Sequence, residues 1–169
     1  MSKGDGQGFS RDVRVVGYLR TLSRDNLFIT DQDSRIEVYA SREGIDIVLV
    51  EREANNGNQI CRTGLWKTLR HISCSACEPK SMPMTDDYSY WMREALKGCI
   101  CAKPEPLHGL IVTDMEIITP NPQAGTKFLL DMCLAKKHLY TVFDKRCMSC
   151  CNPQAVEFVR KQLQKDIDK

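Results

Sequence analysis

The chain has 169 residues, of which 42% are hydrophobic and 27% are charged, and its formal net charge is +2. This length predicts one domain with a substantial core, and the composition is typical of a soluble globular protein. The charge is too small to indicate nucleic-acid binding by itself, and there is no apolar run of about eighteen residues to indicate a membrane partner.

Residues 1–12, MSKGDGQGFSRD, are polar and lack the apolar centre of a signal peptide, so we expect a flexible N-terminal lead-in. A chain without such a signal is expected in the cytoplasm or the nucleus, where thiols stay mostly reduced. The nine cysteines cannot all pair within one chain, because their number is odd. Their clustering indicates metal ligands or buried thiols instead.

The first half of the chain alternates between strand and helix patterns. Residues 13–18 are rich in β-branched side chains and predict a strand. Residues 29–42 place apolar side chains at helical spacing, with Asp31 or Asp33 positioned to cap the helix start. Residues 45–50, IDIVLV, predict a second, buried strand. The three segments together predict a βαβ unit with two parallel strands.

The segment after the second strand is polar. Residues 51–61, EREANNGNQIC, predict a mobile loop at the same sheet edge as Arg20. Arg62 then opens a helix, from which it can reach back toward the first loop, although a solvated arginine fits the spacing equally well. The apolar side chains that face one way on this helix are Leu65, Leu69 and Ile72.

The second half resumes the alternation after residues 73–106, a cysteine- and proline-rich stretch that we interpret as an insertion. The insertion itself carries a short predicted helix around 88–96. The elements predicted after it are a strand at 109–113, a helix at 125–137, a strand at 138–143, a loop at 147–151 and a final helix at 152–169.

Chemistry is expected at the end of the first strand. Tyr18 and Arg20 should emerge at its carboxyl end, where open α/β sheets bind ligands. An arginine there can donate two parallel hydrogen bonds to a phosphate, and the hydroxyl of a following serine, Ser23, can act as a nucleophile. The alternative is a strand followed by a polar loop, since so short a motif is weak evidence.

Several segments together follow a known order. They are Tyr18-Leu19-Arg20 with a following serine, a helix containing Gln32 and Tyr39, the turn Gly44-Ile45, Asn56-Gly57 ahead of Arg62-Thr63-Gly64-Leu65, the strand at 110–112, and the helix and strand at 128–143. In this order they resemble the catalytic domain of the serine recombinases, the resolvases and invertases. The resemblance implies an α/β, flavodoxin-like domain over residues 13–151. Its sheet would be mostly parallel, with four or five strands and helices on both faces.

The resemblance also implies a reaction. In that family a serine attacks a DNA phosphate and forms a 5′-phosphoserine link, while clustered arginines stabilise the transition state. The residues that fall on family positions are Tyr18, Arg20 and Arg62, and Ser23 would be the nucleophile. Ser23 comes one residue later than the family spacing, which places Leu22 there, so the loop would have to absorb one inserted residue.

The chain departs from the family after the third strand. The family carries Asp-Arg-Leu-x-Arg there, where this chain reads EIITP from Glu116 to Pro120. Glu116 can stand in for the acid, but both arginines are absent. Because one preorganised donor is worth about a hundred- to a thousand-fold in rate, two losses predict a retired active site. The alternative is an active recombinase in which Arg24 or Lys127 supplies the missing charge.

The end of the chain predicts self-association. Family members continue into a DNA-binding domain, and this sequence stops at Lys169, so we expect target recognition to lie outside this polypeptide. The helix at 152–169 corresponds to the dimer helix of the family. Its narrow apolar stripe consists of Val156, Val159, Leu163 and Ile167. We therefore predict a homodimer, with DNA or a DNA-bound protein as a further partner.

Two cysteine pairs have the spacing of zinc ligands. Cys74-x-x-Cys77 and Cys147-x-x-Cys150 together predict a four-thiolate structural zinc site, and no other cofactor is indicated. Cys99-x-Cys101 is a looser pair. The alternative is a set of buried thiols, since free cysteine is among the most buried residue types.

Overall fold

The structure is a computed structural model that describes residues 13–21, 26–54, 59–143 and 147–148, together with residues 161 and 165. The predicted lead-in, Ser23, Arg24, Asn56-Gly57, Cys150 and most of the final helix lie outside the described residues. The elements are β1 (Val13–Thr21), α1 (Asn26–Glu43), β2 (Ile45–Ala54), α2 (Thr63–Ser73), α3 (Tyr88–Ala95), β3 (Gly109–Val112), a 3₁₀ turn (Met115–Ile117), α4 (Pro122–Leu134), β4 (His138–Thr141) and β5 (Cys147–Met148).

The strands form one five-stranded sheet in the order β2-β1-β3-β4-β5. Strands β1 to β4 are parallel, and β5 pairs antiparallel with β4. The predicted mostly parallel α/β sheet and the βαβ unit β1-α1-β2 are therefore confirmed. No helix in the described part of the chain is long and apolar enough to cross a membrane.

Helices cover both faces of the sheet, as predicted. Alternate residues of β1 point to opposite faces, so Val15 and Leu19 pack under α1 while Val16 and Tyr18 pack under α2 and α4. From Val15 to Thr21 every residue of β1 is buried, because the strand lies inside the sheet and is covered on both faces.

Helix α1 is longer than predicted. Ile36 and Ala40 are buried against the sheet, as the helical spacing indicated. The predicted caps are wrong, because the helix begins at Asn26 and both aspartates lie inside it. Asp31 instead pairs with Arg35, and Asp33 accepts a hydrogen bond from Arg52 at 2.7 Å.

Strand β2 extends beyond its apolar run. It continues to Ala54, so the prediction that a loop begins at residue 51 is wrong. The strand lies at the edge of the sheet, where it pairs residue by residue with the end of β1. An edge strand exposes alternate side chains to water, which explains a polar sequence in regular structure.

Residues 73–106 are part of the main core. Trp91 of α3 is fully buried and lies 5.9 Å from Trp66 of α2, measured between ring centroids. Tyr88 donates a hydrogen bond to Asp131 of α4 at 2.7 Å. Leu107 then donates its backbone N–H to the carbonyl of Ile72 at 2.8 Å. The segment thus returns to the end of α2 before β3 begins.

Several later boundaries differ from the prediction. Helix α4 ends at Leu134 rather than at 137, and β4 ends at Thr141 rather than at 143. Helix α4 begins at Pro122 rather than at 125, because Asn121 caps it by accepting the N–H groups of Gln123 and Ala124 at 3.0 and 3.1 Å. The stretch predicted as a loop at 147–151 contains the short strand β5, which pairs antiparallel with β4, and a strand of two residues is too short to show a periodic pattern.

Candidate active site

Two arginines meet at the carboxyl end of β1. Arg20 is in β1 on the face that α2 covers, and Arg62 is the residue immediately before α2. The turn after β3 brings the carbonyl of Ile117 to the same place, because the carboxyl ends of parallel strands lie at one edge. Both side chains are enclosed, with Arg20 only 2% exposed and Arg62 3% exposed.

Arg20 is held at both its backbone and its side chain. Gln32 of α1 accepts the N–H of Arg20 at 3.1 Å and donates to its carbonyl at 2.7 Å. The guanidinium donates to the carbonyl of Ile117 at 3.5 Å. The side-chain amide of Gln32 therefore binds both backbone groups of Arg20 and fixes the backbone position that carries the arginine side chain.

Arg62 uses all three of its guanidinium nitrogens on internal acceptors. Nη1 donates to the carbonyl of Gln59 at 2.7 Å, and Nη2 donates to the carbonyl of Ile117 at 3.1 Å. Nη2 and Nε also donate to the hydroxyl of Tyr18, at 3.1 and 3.3 Å. Arg62 thus reaches back to Tyr18 of β1 and is buried, so the solvated alternative is wrong. Residues 22–25 of the first loop, toward which the sequence predicts that Arg62 reaches, lie outside the described residues.

Glu53 supplies the negative charge of this cluster. It is paired with Arg20 in the register of β1 and β2. It accepts the Tyr18 hydroxyl at 2.5 Å and the Gly64 N–H at 3.0 Å, and its carboxylate lies 3.7 Å from Arg62 Nε. A side chain at Gly64 would collide with this carboxylate, so the glycine is required for the contact.

Sequence reasoning missed Glu53 because it placed residue 53 in a loop. The signal that could have identified it is the alternation within β2, where Glu51 and Glu53 are half-buried while Arg52 and Ala54 are exposed. The partner that completes its environment is Gly64, eleven residues further along the chain. We call Tyr18, Arg20, Glu53 and Arg62 the arginine cluster.

Burial dominates the electrostatics of the arginine cluster. Burial raises the pKa of Tyr18 well above its ordinary value, with Arg62 opposing this and Glu53 adding to it. Burial also lowers the pKa of Arg20, and the charge of Arg62 lowers it further. Two guanidiniums and one carboxylate give a formal charge of +1, which an entering anion would neutralise.

Glu116 and Lys127 make other contacts in the described structure. Glu116 lies in the 3₁₀ turn with an exposed side chain, and its backbone N–H donates to Asp114 at 2.8 Å. The contact from this turn to the arginines is the carbonyl of Ile117. Lys127 of α4 donates to Ser89 of α3 at 3.2 Å, and the nucleophile candidate Ser23 lies outside the described residues.

The fold is similar to that of a solved catalytic domain. No protein-family model and no curated protein matches the sequence. Among solved structures, the N-terminal catalytic domain of TP901-1 integrase matches with a TM-score of 0.60 and 11% sequence identity. The match covers 92% of this chain and 99% of the integrase domain. The chain has a serine-recombinase-like fold.

The recombinase-like domain also contains a group of cysteines between α2 and β3. Cys74 and Cys77 lie beside Cys99 and Cys101, and the four sulfur atoms are all within 4.8 Å of one another. The N–H of Glu105 donates to Cys74 Sγ at 3.4 Å and is the main cause that lowers the pKa of this thiol to about 6. These residues could hold a metal ion.

Cys74 and Cys77 lie next to a different cysteine pair from the one that the spacing predicted. The prediction combined Cys74 and Cys77 with Cys147 and Cys150, and the structure places the looser pair next to them instead. Cys147 lies in β5, and Cys150 is outside the described residues. The structural cause is the path of residues 73–106, which leaves the end of α2 and returns to it.

Proposed function

We propose that this chain is a serine-recombinase-like domain whose recombination site is catalytically silent and which acts by binding other macromolecules. The observation that carries the proposal is the closed state of the arginine cluster. Arg20 and Arg62 are almost fully enclosed, and Arg62 donates every guanidinium nitrogen to an acceptor within the domain. A recombinase needs such donors directed at a DNA phosphate and its transition state.

Opening the cluster for a phosphate would be costly. The hydrogen bonds of Arg62 to Gln59, Ile117 and Tyr18 would have to break, and a buried acceptor left without its donor loses about 1–3 kcal/mol. A phosphate would also approach the carboxylate of Glu53, which lies 3.7 Å from Arg62. The negative charges of the phosphate and of Glu53 would repel each other, and Glu53 already supplies an anion beside Arg62.

The turn after β3 supports the same conclusion. Its sequence from residue 114 to 120 is DMEIITP, which contains no arginine or lysine. Ile117 presents a carbonyl oxygen to both guanidiniums, and Ile118 is fully buried. The turn therefore supplies an acceptor to the arginines, at the position where the serine-recombinase pattern has two further arginines.

A second candidate function is an active recombinase. The observation that favours it is the formal charge of the cluster, since two guanidiniums face one carboxylate at the edge where a ligand would bind. In this alternative the Ser23 hydroxyl attacks the phosphorus atom, the deoxyribose 3′ oxygen leaves, and Arg20 and Arg62 stabilise the charge. A partner protein would supply target recognition.

Arginine NMR can test whether DNA reaches the cluster. The Nε–Hε signals of Arg20 and Arg62 would be assigned with Arg20→Lys and Arg62→Lys and followed during titration with a short duplex of random sequence. Exposed Arg35 reports general surface binding. We expect Arg20 and Arg62 to stay unperturbed whether or not Arg35 responds. Saturable shifts of both cluster signals would overturn the closed-site argument.

A covalent assay tests the active alternative. The protein is incubated with a pool of DNA duplexes, denatured, and examined for a protein–DNA adduct. We expect none from the unaltered chain. An adduct that forms with the unaltered chain and disappears with Ser23→Ala would establish the recombinase and refute the silent site.

We further propose that the domain associates with itself through the helix at 152–169, with DNA or a DNA-bound protein as another partner. The support is the apolar stripe of that helix in the sequence. Lys161 and Lys165, which lie between stripe positions, are helical and exposed. Cys61, Cys74, Cys77, Cys99 and Cys101 form no disulfide, which fits a reducing compartment, so we propose a cytoplasmic or nuclear location.

A further inference from the structure

We propose that Cys74, Cys77, Cys99 and Cys101 bind one Zn²⁺ ion as a closed, structural four-thiolate site. The four sulfur atoms converge from two short segments of residues 73–106, within 4.8 Å of one another. The site lies at the end of α2 opposite Arg62. It is therefore separate from the arginine cluster, and its assignment does not depend on whether the recombination site is silent.

Two of the sulfur–sulfur distances are close to the edge length of a zinc tetrahedron, and the other sulfur pairs lie within 4.8 Å. Ligands at about 2.3 Å from zinc are separated from one another by about 3.8 Å in tetrahedral geometry. Cys74 Sγ lies 3.7 Å from Cys101 Sγ, and Cys77 Sγ lies 3.5 Å from Cys99 Sγ. A disulfide would require about 2.05 Å, so these pairs are too far apart to be bonded.

The backbone around the cysteines is arranged to support charged sulfur. The N–H of Glu105 donates to Cys74 Sγ at 3.4 Å, and the N–H of Cys101 donates to Cys99 Sγ at 3.4 Å. Such second-shell donors orient thiolate ligands and offset their charge. Ser75 also donates its N–H to the carbonyl of Glu105 at 2.8 Å, which holds the two segments together.

The approach to the second cysteine pair is fixed by Arg70 of α2. Its Nη1 donates to the carbonyls of Glu94, Ala95 and Lys97 at 3.2, 3.4 and 2.7 Å. These carbonyls lie at the end of α3, just before Cys99. The guanidinium therefore holds the backbone that leads into Cys99 against α2, the helix that ends beside Cys74.

The ligand set limits the choice of metal and indicates a structural role. Four thiolates in tetrahedral arrangement are typical of zinc and of iron–sulfur centres, and a site with four protein ligands leaves no position open for substrate. Because the quartet is complete within residues 73–106, it requires neither Cys147 nor Cys150. The ion would close the loop that carries α3 and would hold that helix on α2, where Trp91 packs against Trp66.

Metal content and cobalt substitution test the site on the full chain. We expect one equivalent of zinc, and replacement by Co²⁺ should give the intense visible bands of tetrahedral thiolate coordination. Cys99→Ser and Cys101→Ser should each lose most of this metal. Cys133→Ser, which alters a buried cysteine outside the quartet, and the double variant Cys147→Ser/Cys150→Ser should retain it.

A histidine variant covers the case in which the serine variants fail to fold. Cys101→His should keep the metal and shift the cobalt spectrum, because imidazole replaces one thiolate. A chelator should lower Tm of the unaltered chain by about 10 °C. Absence of metal together with an unchanged Tm in chelator would overturn the proposal. So would iron in place of zinc, or metal loss confined to the Cys147→Ser/Cys150→Ser variant.

Discussion

Replacing Glu53 by glutamine is expected to destabilise the domain, because it removes a carboxylate that lies 3.7 Å from Arg62. The substitution keeps the size and shape of the side chain. A glutamine oxygen can still accept the Gly64 N–H that Glu53 accepts at 3.0 Å. What changes is the charge facing two guanidiniums that are 2% and 3% exposed. The experiment therefore isolates the electrostatic part of the arginine cluster.

The magnitude follows from two losses. A hydrogen bond to a charged acceptor is stronger than one to a neutral acceptor, so the 2.5 Å bond from Tyr18 to Glu53 weakens by about 1 kcal/mol. Removing one partner of a buried ion pair costs about 3–5 kcal/mol when the contact is direct. The separation here is 3.7 Å and Arg62 keeps its carbonyl acceptors, so about 2 kcal/mol is expected. The free energy of unfolding should fall by about 3 kcal/mol in all.

Urea unfolding at neutral pH measures this loss. With a slope of about 2 kcal/mol per molar urea, the midpoint should fall by about 1.5 M. Glu51→Gln is the matched control, since Glu51 lies on the same strand with a side chain 22% exposed, and its free energy of unfolding should change by less than about 0.5 kcal/mol. A loss below about 1 kcal/mol for Glu53→Gln would refute the reasoning, because the arginines would then not depend on this carboxylate.

Three further predictions concern the same residues and the final helix. Tyr18→Phe should lower the free energy of unfolding by about 1–3 kcal/mol in the same urea assay, because the hydroxyl both accepts from Arg62 and donates to Glu53. Exposed Tyr90→Phe is the control, and a loss for Tyr18→Phe no larger than that of the control would contradict this prediction. Burial raises the pKa of Tyr18 above 10.0, so as the pH rises the unfolded chain loses the Tyr18 proton before the folded chain does. The contribution of Tyr18 to the free energy of unfolding is therefore full below pH 10.0 and declines at higher pH, by up to about 1.4 kcal/mol per pH unit. Alkaline unfolding curves should show that Tyr18→Phe reduces this decline, and an unchanged pH dependence would exclude Tyr18 as its source. Val159→Glu together with Leu163→Glu should convert a dimer to a monomer in sedimentation experiments while Lys161→Glu should not, and an unchanged oligomeric state would remove the helix as the contact.

The prediction of the elements succeeded where the pattern was local. The apolar run at 45–50 and the helical spacing of Ile36 and Ala40 depend on neighbours within a few residues, so they indicated β2 and α1 directly. The boundaries failed where a distant partner decided them. The end of β2 is polar and continues as a strand only because β1 pairs with it.

Some residues of the candidate site could also be predicted from local sequence, whereas others could not. The end of the first strand indicated Tyr18 and Arg20 as candidates, whereas the position of Arg62 before a helix fitted a solvated arginine equally well. The resemblance to serine recombinases pointed to the same three residues. Neither source identified Glu53, since its role depends on the register that pairs it with Arg20 and on the close approach of Gly64.

The sequence by itself determined the alternating α/β architecture, the strand end that carries Tyr18 and Arg20, and the presence of paired cysteines. These features depend on side-chain periodicity and short spacings, which the order of residues contains directly. The tertiary structure alone decided which carboxylate faces the arginines and which cysteines stand beside Cys74 and Cys77. Both contacts join distant parts of the chain, as in the 27-residue separation of Cys74 and Cys101, and only the packed path of the backbone brings such residues together.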